Sequence, residues 1–244
     1  MKASPADQAL LLDLQAIDTK LSQLDHRTKS VPEIALLAEL ARGIDVLRGV
    51  LATQSGARED IEIELKRLES DVELVEQRIA RDAERLQSSS SVKDVAALEQ
   101  ELAALRKRQF DLEEIELTIM ERLEERDLEL AQTRASLDDL ESQVGSLEAA
   151  RDAALAAIDA EREESTANRR SIAATVPTDL LALYEKQRAR YGFGASLLRY
   201  GVSSVTGVKL LENEMQEIRA AAPDDVIMCA TSEAILVRTA ESGL

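Results

Sequence analysis

Aromatic residues are nearly missing from this chain. They make up 2% of 244 residues, with no tryptophan at all, and cysteine and histidine occur once each. A globule of this length built without aromatic bulk would be unusual, whereas abundant Ala, Leu, Glu, Arg and Asp suit long helices. One cysteine excludes an intramolecular disulfide framework and fits a reducing cytoplasm. No stretch approaches the ~18 consecutive apolar residues of a membrane span. At the N-terminus Asp7 and Asp13 bracket the only apolar run, which is too short for a signal-peptide core. The expectation is therefore a cytoplasmic protein with no membrane segment. Catalytic signatures are missing too: the chain has no G-x-S-x-G, H-E-x-x-H, P-loop or dinucleotide fingerprint. Paired carboxylates such as Glu121 and Glu125 are plentiful, but an exposed coil offers no pocket to shift their pKa values. The chain is expected not to be an enzyme and to need no cofactor.

The charge is plentiful and one-sided. The formal net charge is -17. From Pro177 onward 7 Lys plus Arg face 9 Asp plus Glu, a net of -2, so the preceding part carries -15. Such a surface repels nucleic acid at long range.

Prolines mark helix starts. Ser4-Pro5-Ala6-Asp7 and Ser30-Val31-Pro32-Glu33 each set a hydroxyl cap three residues before a carboxylate, with proline in the first turn. Thr175-Val176-Pro177-Thr178 resembles them, and Pro223 is placed to end a short helix. Leu10, Leu14, Ile17, Leu21 and Leu24 alternate in spacings of four and three, a coiled-coil seam over residues 5–27. A second helix over 31–86 continues through Ile61, Leu65, Leu68, Val72, Val75 and Ile79, and Gly43, Gly49 and Gly56 should soften its first half. Ser88 to Ser91 interrupt the pattern, since serines compete for backbone hydrogen bonds, and are expected to form a hairpin tip. A third helix over 92–173 carries Val95, Leu98, Leu102 and Leu105 on its seam. There Gln109 and Glu116 fall on seam positions while Phe110, Leu112, Ile115 and Ile119 crowd an adjacent face, which predicts a register shift or a second partner surface.

The fold class is thus expected to be mainly α: a long antiparallel coiled-coil helical hairpin (1–174) followed by a small C-terminal α+β domain (175–244). In the latter, Leu197 to Val202 and Val205 to Leu211 read as strands, residues 211–221 as a helix, and Val226 to Cys229 with Ile235 to Val237 as a hairpin. Val205, Val208, Met228 and Ile235 are candidates for its core.

Three stretches carry a resemblance. Val176-Pro177-Thr178-Asp179-Leu180-Leu181-Ala182-Leu183-Tyr184-Glu185, Ile218 through Val226, and the closing Ile235-Leu236-Val237-Arg238 resemble the bacterial coiled-coil plus C4-type zinc-ribbon family. The resemblance implies a helical hairpin, a terminal ribbon held by four cysteines, and a description of members as predicted nucleic-acid-binding proteins. Here the four ligand positions would be Ser203, Thr206, Cys229 and Ser232. Neutral hydroxyls are very poor zinc ligands, so this degenerate ribbon is expected to be metal-free. A metal-free domain of this size needs another source of stability. Cys229 is expected to be a buried core thiol, and His26 a helix-terminal residue favoured by the dipole.

One patch mixes basic and aromatic side chains: Lys186, Arg188, Arg190, Tyr191, Phe193, Arg199 and Tyr200. Phosphate-pairing charges with stacking faces suit single-stranded RNA or DNA. Alternatively, Tyr184 and Tyr191 pack on the coil and the basic residues answer its acidic surface. The function expected is a non-enzymatic adaptor that binds protein partners through coiled-coil faces and the ribbon-like domain, as a monomer or a dimer; the alternative is nucleic-acid binding through the patch.

Overall fold

The computed structural model describes residues 1–244. Three helices lead: α1 (Pro5–Lys29), α2 (Pro32–Ser88) and α3 (Val92–Ala173). A smaller mixed region follows with α4 (Thr178–Tyr191), β1 (Ala195–Arg199), β2 (Val202–Ser203), α5 (Glu212–Ala220), β3 (Ile227–Met228) and β4 (Ile235–Val237), closed by a 3-10 turn at Ala240–Ser242. The chain divides into two compact units, one of Met1–Ile34 with Ala149–Leu244 and one of Ala35–Glu148.

The second unit is a long antiparallel helical hairpin. Ile61 and Leu68 of α2 meet Leu112 and Ile119 of α3, with Leu65, Val72, Val75 and Leu123 packed around them. Ion pairs cross between the helices, Arg58 to Asp127 at 2.6 Å, Arg122 to Glu64 at 3.2 Å and Arg48 to Glu141 at 2.9 Å. These contacts are exposed, and such pairs select register more than they stabilise. The chain reverses at Ser88 to Ser91: the Ser88 hydroxyl donates to the Arg85 carbonyl, and Ser91 Oγ accepts from the Asp94 N–H to start α3. α2 stays helical through Gly43, Gly49 and Gly56. The expected register shift in α3 does not occur. Leu112 and Ile119 continue the seam, Gln109 stays on it and donates to Glu76 across the hairpin, and Phe110 and Ile115 face solvent.

In the first unit, Ser4 caps α1 as its sequence predicts, accepting from the Asp7 N–H at 3.1 Å. Ser30 acts differently from expectation. Its hydroxyl and N–H both donate to the last carbonyls of α1, so it ends that helix rather than starting α2. The four-stranded sheet has the order β2-β1-β4-β3, with β1 parallel to β4 and the other pairs antiparallel. One face packs Ala195, Ile235 and Val237 onto Leu11 and Leu14 of α1 and Val176, Leu180 and Tyr184 around α4. The other packs Leu198, Leu236 and Cys229 against Leu210, Met215 and Ile218. Cys229 is thus a buried core thiol.

The strand expectations need correction. Arg199 pairs with Val202 across a two-residue turn, Tyr200 and Gly201, both at positive φ (45° and 73°). That is the hairpin connection whose twist suits its flanking strands, and it ends β1 early. Val205 to Leu211 forms no strand beyond one bridge from Val202 to Lys209, and Val208 is exposed rather than core.

Candidate functional site

The buried face of α1 carries Leu11, Leu14, Asp18 and Leu24; of the expected seam Leu10, Leu14, Ile17, Leu21 and Leu24, only Leu14 and Leu24 are fully buried, and Leu11 and Asp18 join them. A carboxylate therefore enters the interior. Burying it alone would cost several kcal/mol, and the surrounding elements supply partners. Arg169 of α3 donates to both Asp18 oxygens at 2.6 and 3.1 Å, the Tyr184 hydroxyl donates to Oδ2 at 2.7 Å, and Arg188 Nε lies 3.0 Å from it. Glu185 completes the cluster, accepting from Arg169 at 2.6 Å and Arg188 at 3.0 Å. Two arginines face two carboxylates, so the group is neutral and ties α1, α3 and α4 together.

The hydrogen bond to Asp18 leads in holding the Arg169 guanidinium well above its ordinary range. Burial, then the same carboxylate, pushes the Tyr184 phenol well above the usual tyrosine value. Because the phenol titrates higher when folded, its contribution to stability is whole below about pH 10 and is lost as pH rises above that. A Tyr184→Phe variant should be less stable at neutral pH by about 1 kcal/mol. Its deficit should shrink in chemical denaturation above about pH 10; a constant deficit would contradict this role.

Beside the cluster runs an open groove of about 780 Å³, lined by Leu12, Gln15 and Ala16 of α1 and by Phe193, Leu197 and Val205. The Gln15 side-chain carbonyl accepts from the N–H groups of Gly194 and Ala195, seating the start of β1 against α1.

The structure gives the seven patch residues different neighbours. Arg188 is spent on Asp18 and Glu185. Lys186 is exposed, and Arg190 stacks 5.1 Å from the centre of the Tyr191 ring. Phe193 lines the groove, while Tyr200 occupies the β1–β2 turn and Arg199 pairs with Glu241 at 3.3 Å. Three carboxylates, Asp18, Glu185 and Glu241, face this set. No motif or patch named from the sequence includes Asp18 or Arg169. The available signal was that Asp18 falls in the same spacing of three and four as Leu11 and Leu14.

Ser203, Thr206, Cys229 and Ser232 lie on two matching turns. The Gly207 N–H donates to the Ser203 carbonyl and the Glu233 N–H to the Cys229 carbonyl, both at 2.8 Å, and Gly207 and Glu233 both adopt positive φ. Ser203 is buried and bonds Ser196 Oγ at 2.7 Å, Ser232 Oγ accepts from the Ala234 N–H, and Thr206 is exposed. The residues that would hold a zinc ion do not fit one: no three His, Cys, Asp or Glu side chains converge there or elsewhere. No helix is long and apolar enough to cross a membrane.

Comparison with known proteins places this architecture. A relative in Mycobacterium tuberculosis, an uncharacterized protein, is 33% identical over 239 residues, 98% of each chain. A solved structure from Mycobacterium smegmatis is 34% identical with a TM-score of 0.85, covering 98% of this chain and 100% of that one. The structure of CT398 from Chlamydia trachomatis shares the fold at 18% identity, with a TM-score of 0.62 over 96% of this chain and 98% of its own. The family described as CT398-like coiled coil hairpin domain matches residues 14–192, and the chain belongs to that family.

Proposed function

We propose that the protein is a non-enzymatic coiled-coil adaptor that binds protein partners through the outer face of its hairpin, with the terminal ribbon-like domain as a second docking surface. One observation carries this: the hairpin fills its own seam and still displays large apolar side chains outward. Phe110, Leu117 and Leu128 recur at spacings of seven and eleven residues, which places them on one stripe of α3, and each is more than half exposed. Exposed apolar stripes rimmed by charge mark interaction surfaces. The acidic flanks, including Glu113, Glu114, Glu121 and Glu124, would select partners of complementary charge. The two matched turns at Ser203 and Cys229 support descent of the terminal domain from a zinc ribbon that now relies on side-chain packing. Nucleic-acid binding is less favoured, since Arg188 is committed to carboxylates.

Photo-crosslinkers placed at Leu117 and Leu128 in the full chain should yield protein adducts that resist nuclease. The paired change Phe110→Glu with Leu117→Glu should abolish the Leu128 adducts without altering the helical content. Adducts that disappear with nuclease, or form only from positions 186 and 190, would overturn the assignment in favour of nucleic acid.

A further inference from the structure

The sheet ends on β3, which pairs only with β4. An unpaired strand edge is a template for another strand, and this one is already used in part. Lys2 forms an antiparallel bridge with Asp225, the Ala3 N–H donates to Asp224 O at 2.8 Å, and the Val226 N–H donates to Met1 O at 3.1 Å. Main-chain groups alternate sides along an antiparallel strand. Val226 points outward to Met1 and Cys229 points inward to Ala234 O, so the N–H and C=O of Met228 face the open edge.

Alongside that edge lies a groove of about 330 Å³ whose walls are the run from Val226 to Ala230 and, opposite, Leu210, Ile218, Glu214 and Glu217. Its apolar lining comes from Leu210, Ile218 and Leu236. Its rim is acidic: Glu214 gives one oxygen to the Leu211 N–H, and the Glu217 side chain makes no hydrogen bond or ion pair. A strand edge facing a helix across a narrow apolar trough is the geometry of strand addition, where main-chain bonds bind and alternate side chains select. An α-helix, about 10–12 Å across, does not reach the main-chain groups of Met228 in so small a trough, and the carboxylates repel nucleic acid.

We infer that this groove binds an extended peptide that adds to β3 as a further strand, placing alternate apolar side chains against Ile218 and a Lys or Arg beside Glu217. This deepens the proposal that the terminal domain is a docking surface and rests on it, but not on the hairpin stripe.

The test is panning of phage-displayed random octapeptides on the full chain, with Met228→Pro and Glu217→Lys as counter-targets. A labelled peptide of the enriched sequence is then titrated by fluorescence polarisation. The expected sequences alternate apolar residues with Lys or Arg. Affinity should fall about tenfold in Met228→Pro, which removes the outward N–H. It should fall similarly in Glu217→Lys, and the Met228 amide should become protected from hydrogen exchange on binding. The Phe110→Glu, Leu117→Glu protein should bind the peptide unchanged, which separates failure here from failure of the hairpin surface. If Met228→Pro does not fold, Glu217→Lys and the exchange measurement decide. Several results would overturn the inference: no enrichment over the counter-targets, helical periodicity in the enriched peptides, an unprotected Met228 amide, or a wild-type dimer that Met228→Pro makes monomeric.

Discussion

An Asp18→Ala protein should be less stable than wild type by about 3–5 kcal/mol, the typical cost of removing one partner from a buried ion cluster. The size follows from what remains. Arg169 and Arg188 would face each other with only the half-exposed Glu185 between them, and the Tyr184 hydroxyl would lose its acceptor. All three tyrosines lie between residues 184 and 200, and there is no tryptophan. Tyrosine fluorescence and near-ultraviolet dichroism therefore report on this region directly, while far-ultraviolet dichroism is dominated by α2 and α3. Thermal unfolding followed by the tyrosine signal should shift down by roughly 6–20 °C, from about 2–4 °C per kcal/mol for a chain of this size. Asp18→Asn, which keeps an acceptor but loses the charge, should fall between. Replacing Asp18, Arg169 and Arg188 together by Leu, Met and Met should recover part of the loss, since apolar substitutes for buried ion pairs are often neutral or better. A single-variant loss below about 1 kcal/mol would show that the cluster does not hold α1 against α4.

Gly194→Ala should be the second severe substitution. A Cβ there would lie 2.5 Å from two carbons of the Tyr184 ring and 2.7 Å from the Tyr184 carbonyl oxygen. The ring is fully buried between α1 and the sheet and tethered by its hydroxyl to Asp18, so it has nowhere to move. Overpacking of this kind costs about 1–3 kcal/mol or more. The displaced backbone would also weaken the bonds from the Gly194 and Ala195 N–H groups to Gln15. Gly192→Ala serves as the contrast: its φ of 86° strains any side chain, but open space surrounds it. Its loss should be smaller and should leave near-ultraviolet dichroism of Tyr184 unchanged, whereas Gly194→Ala should alter it. Equal spectra for the two variants would contradict the steric account.

Local chemistry made the helices legible. Proline in the first turn, serine caps at Ser4 and Ser91, and the spacing of Leu65, Leu68, Val72 and Val75 act within a few residues, so they are written in order along the chain. The hairpin follows from one interruption, Ser88 to Ser91, between two matching seams. The same locality explains the errors. Ser30 satisfies either the helix behind it or the one ahead, and only the folded chain shows that it closes α1. Tyr200-Gly201 does not announce a two-residue turn as Asn-Gly would, so the expected strand, Leu197 to Val202, starts two residues late and runs across the turn that ends β1 at Arg199.

The site depended on contacts that no local pattern encodes. Asp18, Arg169 and Arg188 are separated by more than a hundred residues on one side and fewer than twenty on the other, and their meeting requires α1, α3 and α4 to be packed first. Whether an arginine is free for a phosphate or spent on a carboxylate is a property of that packing. By itself the sequence determined the helical class and the reversal at the serines, because these rest on short-range spacing and residue chemistry. Tertiary structure alone decided which carboxylate is buried, which patch residues stay free and which strand edge is open, because burial and pairing arise between segments distant along the chain.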